Sequence, residues 1–386
     1  MKSVEKLDYI DGIKIIACIT IFNFHFMNFF YCGFYSLNPS DFLLGNLEYI
    51  VGTTPLNLIY GGKFGVKMFM TLSGFFVGYR YFQTKDAKHL ASGVFKKYFR
   101  LVLPILTVNI VIYLLMVFRL FRNEEASVLI GSQLFVANYF KAAPNLLMAI
   151  KEALVDAFFM TGNRVYNAPL WFIFYEFMGT TLVAAILALF GDKKARYVVY
   201  AVASIFALLA NMADFLPFIL GVVVCDFTYS KEVFIEKIAK QKWLMWLMFI
   251  GGMFLGSFPP LGDRMAGTMY GIFPLKVMLY YSVGTAMVLF SIIHLEPLKK
   301  PLMYPIYRKL NQYSYSFYLV HYMILSTFSC YFYLALKDFW NYHVLVIVDY
   351  ILTILVTLGV SYVLNRLVEK PGIRLAEKIT SYFMKS

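Results

Sequence analysis

The stretch YIDGIKIIACITIFNFHFMNFF, residues 9–30, decides the fold class. As a helix it would be about 33 Å long, enough to cross a hydrocarbon core of about 30 Å. Yet it carries Asp11, Lys14, Cys18 and His25. At 100° per residue these four fall within a sector of about 60°, so they form one stripe on one face. Ionisable groups are costly in lipid and usually face a bundle interior or mark a site. His25 lies eleven residues beyond Lys14, about 16 Å further along the axis. The stripe therefore predicts a helix facing a bundle, with an imidazole at the far end of a polar track. From this segment alone, a histidine hydrogen-bonded to a neighbouring helix for packing accounts for His25 equally well.

The rest of the chain fits a membrane. Of 386 residues, 60% are hydrophobic, with 39 Phe and 30 Tyr, and only 15% are charged. A soluble domain carries about 25% charged residues. Apolar runs recur along the whole length and predict ten helices, at 9–30, 62–82, 100–119, 168–190, 196–212, 214–229, 242–258, 272–293, 312–335 and 344–367. The fold class is all-α, a polytopic membrane bundle. The net charge of +13 does not read as nucleic-acid binding. With the N-terminus inside, the inner loops and tails hold 23 Lys and Arg and the outer loops six, Arg122, Lys141, Lys151, Arg164, Arg264 and Lys337. By the positive-inside rule both termini are cytoplasmic. The first run follows Lys2 and Lys6, but no small-residue cleavage site follows it, so it is a retained helix rather than a signal peptide. Cys18, Cys32, Cys225 and Cys330 show neither disulfide nor zinc spacing, and no metal site is indicated.

The chain reads as one membrane domain over residues 1–386, with no internal repeat and no appended soluble domain. Two outer loops are long, 31–61 and 120–167, and loops of that size are more often functional than idle. Within the second, NLLMAIKEALVDAFFM (145–160) has amphipathic helical spacing and suits the outer interface.

Other polar groups stand in apolar surroundings. NQYSYSFYLVH (311–321) would place Asn311, Ser314, Tyr318 and His321 on one face. NAPLWFIFYEF (167–177) carries Glu176 about two turns into its helix, where a carboxylate needs a proton, a cation or a chemical role. Trp171 and Tyr175 also suit an interfacial aromatic belt. FKKYFRLVLP (95–104) clusters Lys96, Lys97 and Arg100, suited to anionic lipid or to the phosphates of a soluble ligand. FMTLSGFFVGY (69–79) carries Ser73, Gly74 and Gly78, small residues that permit close helix approach. No nucleophile elbow surrounds Ser73.

Taken in order, these stretches resemble the acyltransferase-3 family of integral-membrane acyltransferases. YIDGIKIIACITIFNFH resembles its signature of a basic residue followed eleven positions later by His. FMTLSGFFVGY resembles its Ser-Gly-Phe segment, KKYFRLVLP its Arg-x-x-x-Pro, and APLWFIFYEF its Leu-Trp-x-x-x-x-Glu. YSYSFYLVH resembles its Ser-Tyr-x-x-Tyr-Leu-x-His, and RLVEKPG its terminal Glu-Lys/Arg-Pro. The family usually has Arg where this chain has Lys14, which keeps the charge and loses the bidentate fork.

The resemblance implies transfer of an acyl group, commonly acetyl from cytoplasmic acetyl-CoA, to a hydroxyl of a carbohydrate acceptor. Acetyl-CoA would be a co-substrate, with no permanently bound cofactor. CoA phosphates would meet Lys96, Lys97, Arg100 and Lys14. His25 would be the general base or a transient acyl carrier, and Glu176 would orient the imidazole or shuttle its proton. His321 and Tyr318 would line the acyl site or stabilise the oxyanion, with Ser73 and Trp171 among the binding residues. The partners implied are an acyl-CoA, a glycan and membrane lipid, in a bacterial plasma membrane. The main alternative is a transporter or flippase for a glycan or small anionic metabolite. It is weakened by the missing repeat and by the absence of paired Gly/Pro breaks.

Overall fold

The computed structural model describes residues 7–132, 135–162, 164–229, 233–259, 267–274 and 276–383. Lys2, Lys6, Lys231, Arg264 and Lys385, counted above for topology, lie outside them. Every regular element among the described residues is helical. Each of the ten predicted segments coincides with a helix. These are α1 (Asp8–Phe30), α2 (Gly62–Thr84), α3 (Ala87–Val117), α4 (Trp171–Phe190) and α5 (Arg196–Leu209). The others are α6 (Leu216–Tyr229), α7 (Lys242–Gly256), α8 (Val277–His294), α9 (Ser314–Leu336) and α10, which begins at Tyr342. Six of them, α1, α3, α4, α8, α9 and α10, contain a stretch long and apolar enough to cross a membrane. The apolar helices α5 and α7 are shorter, α6 has 14 residues, and α2 carries Lys63, Lys67 and Arg80.

The helices gather into two compact units. The first comprises residues to Ile21, Thr53–Phe95 and Tyr175–Asn311. Its closest packing is between α2 and α6. A Cβ on Gly74 would run into the Phe218 carbonyl, and one on Gly221 into that of Thr71. The two backbones therefore touch, which only glycine permits. The small-residue spacing of 69–79 has this purpose, and Gly78 continues it against Val222 and Cys225. Several charged and polar groups in this unit are matched. The Arg196 guanidinium donates to both oxygens of fully buried Asp226, at 2.6 and 3.1 Å. Lys67 pairs with Asp214, and the hydroxyls of Thr71 and Thr285 are 2.8 Å apart.

The second unit comprises Phe22–Gly52, Lys96–Phe174 and the chain from Gln312. Here α9 packs on α10, and Phe22, Phe26 and Tyr350 form an aromatic cluster at centroid distances of 5.2–6.0 Å. The 145–160 segment is helical, as its amphipathic spacing predicts, running from Leu146 through a π turn at Glu152–Asp156 to Phe159. Glu152 at that turn is buried and holds the approach to α4. Its carboxylate accepts backbone N–H groups of Val165, Tyr166 and Asn167 at 2.6–3.2 Å, and the Asn109 amide at 3.2 Å.

Two expectations change. Asn311 ends a separate short helix, Pro305–Asn311, and α9 starts only at Ser314. Asn311 therefore does not share a continuous face with Tyr318 and His321. Its amide instead donates to Asp11 at 2.7 Å. The last helix also does not stop near residue 367. It passes through a π turn at Asn365–Glu369 into Lys370–Phe383. Pro371 lacks the N–H that an α-helix requires of it, and the wider turn just before it absorbs that loss.

Candidate active site

His25 sits in the last turns of α1 and His321 two turns into α9. Their rings face each other at a centroid distance of 5.3 Å, tilted by 39°. The Tyr322 ring meets His25 edge-on at 5.0 Å. His321 is buried and His25 half-buried. Around them the structure breaks a general rule. Buried polar atoms nearly always have a hydrogen-bond partner, because leaving one unmatched costs about 1–3 kcal/mol. His25 Nδ1, His321 Nε2, the Tyr322 hydroxyl and both amide atoms of Asn28 are buried with no partner among the described residues. Asn28 follows His25 by three positions and so shares its side of α1. Four residues with unmatched polar atoms, in an apolar interior, form a cradle for a polar guest.

The protonation pattern is partly fixed. His321 Nδ1 lies 2.7 Å from the Tyr318 carbonyl, which can only accept, so Nδ1 carries the hydrogen. In the neutral ring Nε2 then holds a lone pair facing the unmatched cluster. His321 can take a proton there. It can donate to an oxyanion only after it has been protonated. The Tyr318 hydroxyl donates to the Pro169 carbonyl, so its proton is already committed. That contact, with the Asn167 amide donating to the Leu319 carbonyl at 3.0 Å, fastens the start of α4 to α9.

The remaining sequence candidates divide. Glu176 accepts a 2.7 Å hydrogen bond from Ser73, both in the first unit. The ammonium of Lys14 lies 4.9 Å from the Phe76 ring centroid, also in the first unit. Trp171 is exposed. In the second unit Lys96 is paired with Glu377 at 2.7 Å, Lys97 is partly buried and Arg100 is exposed. Pro104 has no N–H to offer the Arg100 carbonyl one turn earlier, which gives Arg-x-x-x-Pro a physical meaning as a locally loosened helix.

Sequence reasoning missed Asn28, Tyr322 and Glu152. The first had a signal, since it stands three positions after His25 in FNFHFMN. Tyr322 meets His25 from a distant part of the chain, and Glu152 meets residues 165–167 only because the intervening loop folds back.

A polytopic helical protein with a paired-histidine cradle in its apolar interior suits chemistry on a guest held away from bulk water. The family model for an acyltransferase domain of the acyltransferase-3 type matches residues 7–366, nearly the whole chain. The chain belongs to that family and is a membrane acyltransferase. No curated protein and no solved structure matches it.

Proposed function

We propose that this protein moves an acetyl group from cytoplasmic acetyl-CoA to a hydroxyl of a cell-surface or lipid-linked carbohydrate in a bacterial plasma membrane. Ten spans with both termini in the cytoplasm would let the donor enter from one face and the acceptor from the other. The observation that carries the reading is the His25–His321 pair with its unmatched nitrogens. In this reading His25 takes the hydroxyl proton as the alcohol oxygen attacks the thioester carbonyl. The tetrahedral intermediate collapses to the ester and expels the CoA thiolate. The imidazolium returns its proton to that sulfur, leaving free CoA and neutral His25. Asn28 and Tyr322 supply donors for the developing oxyanion. Glu176 accepts from Ser73 within the first unit.

A second reading reverses the two imidazoles. It is favoured by the Tyr318 carbonyl, which leaves His321 Nε2 as a ready acceptor. His321 would then be the base and His25 Nδ1–H the donor. A series of acceptors with increasingly acidic hydroxyls separates the two, because an acidic alcohol compensates for a lost base and not for a lost oxyanion donor. Recovery of His25→Ala along that series supports His25 as base, and recovery of His321→Ala supports the reverse.

The test of the function is mass spectrometry of surface glycans from cells with and without the gene, and with His25→Ala restored. The expected result is loss of an acetyl increment, recovered by wild type and not by His25→Ala. Unaltered decoration with glycan accumulating inside the cell would favour transport and overturn the proposal.

A further inference from the structure

The family motif at 366–372 lines a cleft that the chemistry above does not use. The cleft has a volume of about 400 Å³ and is lined by Tyr313, Tyr362, Asn365, Arg366, Lys370 and Arg374, all in the second unit. We infer that it binds the phosphorylated adenosine end of the acyl-CoA donor, an inference that rests on the acyl-CoA reading above.

Charge is the first argument. Arg366, Lys370 and Arg374 stand four residues apart along the continuation of α10, so they share one face and are all exposed. Arg366 donates to the Tyr362 hydroxyl at 3.0 Å, and Lys370 to the Gln312 side-chain oxygen at 3.4 Å, so their hydrogen-bond partners are neutral. The nearby carboxylate of Glu369 is turned inward, accepting from Ser316 at 2.6 Å and from Asn365 at 2.9 Å. None of the three cations has a salt-bridge partner among the described residues, whereas Lys96 in the basic cluster singled out from sequence is paired with Glu377. The cleft, more than residues 96–100, is the place for several phosphates.

The second argument is the base. Asn365 is 3% exposed and its side-chain oxygen has no hydrogen-bond partner among the described residues. That atom suits the exocyclic amine of adenine. The rings of Tyr313 and Tyr362, 5.9 Å apart at 57°, offer a π surface beside it. A lipid phosphate would use the cations and neither of these features. The π turn at Asn365–Glu369 opens the helix where the cleft forms.

Reach is the third. Tyr313 caps the start of α9 and precedes His321 by eight residues, about 12 Å along the helix axis. The extended pantetheine arm of CoA covers that span and would deliver the thioester to the imidazoles from the cleft.

The experiment is titration of the full-length protein, in phosphatidylcholine nanodiscs, with adenosine 3′,5′-bisphosphate and with acetyl-CoA. The bisphosphate carries the nucleotide of CoA without its acyl arm. Lys370→Ala and Arg374→Ala should each weaken its binding about tenfold, with unchanged melting, and His25→Ala should leave it intact. If acetyl-CoA and the bisphosphate bind the charge variants as tightly as wild type, the cleft assignment falls while the acyl-CoA reading stands. If wild type binds neither and uses no acyl-CoA, both fall. If only phosphatidylglycerol, followed by native mass spectrometry, is lost from the variants, the cleft is a lipid site and the inference is overturned.

Discussion

Two buried polar clusters in this protein look alike in the sequence and differ in the structure. Arg196 and Asp226 are charged groups in apolar helices, and every strong demand they make is met. The guanidinium reaches both carboxylate oxygens, and the Tyr200 hydroxyl lies 3.4 Å from one of them. His25 and His321 are also polar groups in apolar helices, but Nδ1 of one and Nε2 of the other have no hydrogen-bond partner among the described residues. The first arrangement holds helices together. The second is incomplete until something else enters. Satisfaction of hydrogen bonds, more than burial or charge, separates the structural cluster from the chemical one.

That contrast can be broken most directly by matched substitutions. His25→Ala should lower acyl transfer by about 10²–10⁴-fold, the range for a lost general acid–base group, while leaving the thermal midpoint unchanged or raised. Asp226→Ala should do the opposite. It strands a largely buried guanidinium at a cost on the order of 3 kcal/mol, so the protein melts earlier while the surviving folded fraction turns over normally. Equal loss of stability in both would erase the distinction between the clusters.

A smaller effect is expected at Glu152. Glu152→Gln replaces one of the two oxygens that together accept three backbone N–H groups and should cost about 1–3 kcal/mol locally. Hydrogen exchange would show it as faster exchange of the amides of residues 165–167. Burial raises the Glu152 carboxyl above its usual range, against the opposing pull of those N–H groups and Arg164. The folded state therefore holds this proton more tightly than the unfolded chain. The stability contributed is complete below the unfolded value and declines as pH rises through the folded one. In the glutamine variant that decline should vanish. The smallest effect is Lys14→Arg, which should change transfer less than threefold if Lys14 acts as a point charge over Phe76. A large loss would mean that the lysine's compact ammonium is needed.

Much of this protein follows from its sequence. Helix-length apolar runs set an all-helical membrane fold, because a spanning backbone must satisfy its own hydrogen bonds. Periodicity placed His25 on a polar face, and small residues four apart marked the α2–α6 contact. Six ordered motifs carried the family. Tertiary structure decided what no single segment encodes. It set His25 against His321, almost three hundred residues away in the chain, and left their nitrogens unmatched. It gave Glu176 to Ser73 and Asn311 to Asp11, and it folded the basic C-terminal motif into a cleft. Local sequence fixes which groups a helix turns inward through its period. Which of those groups find partners depends on the neighbours that distant helices bring.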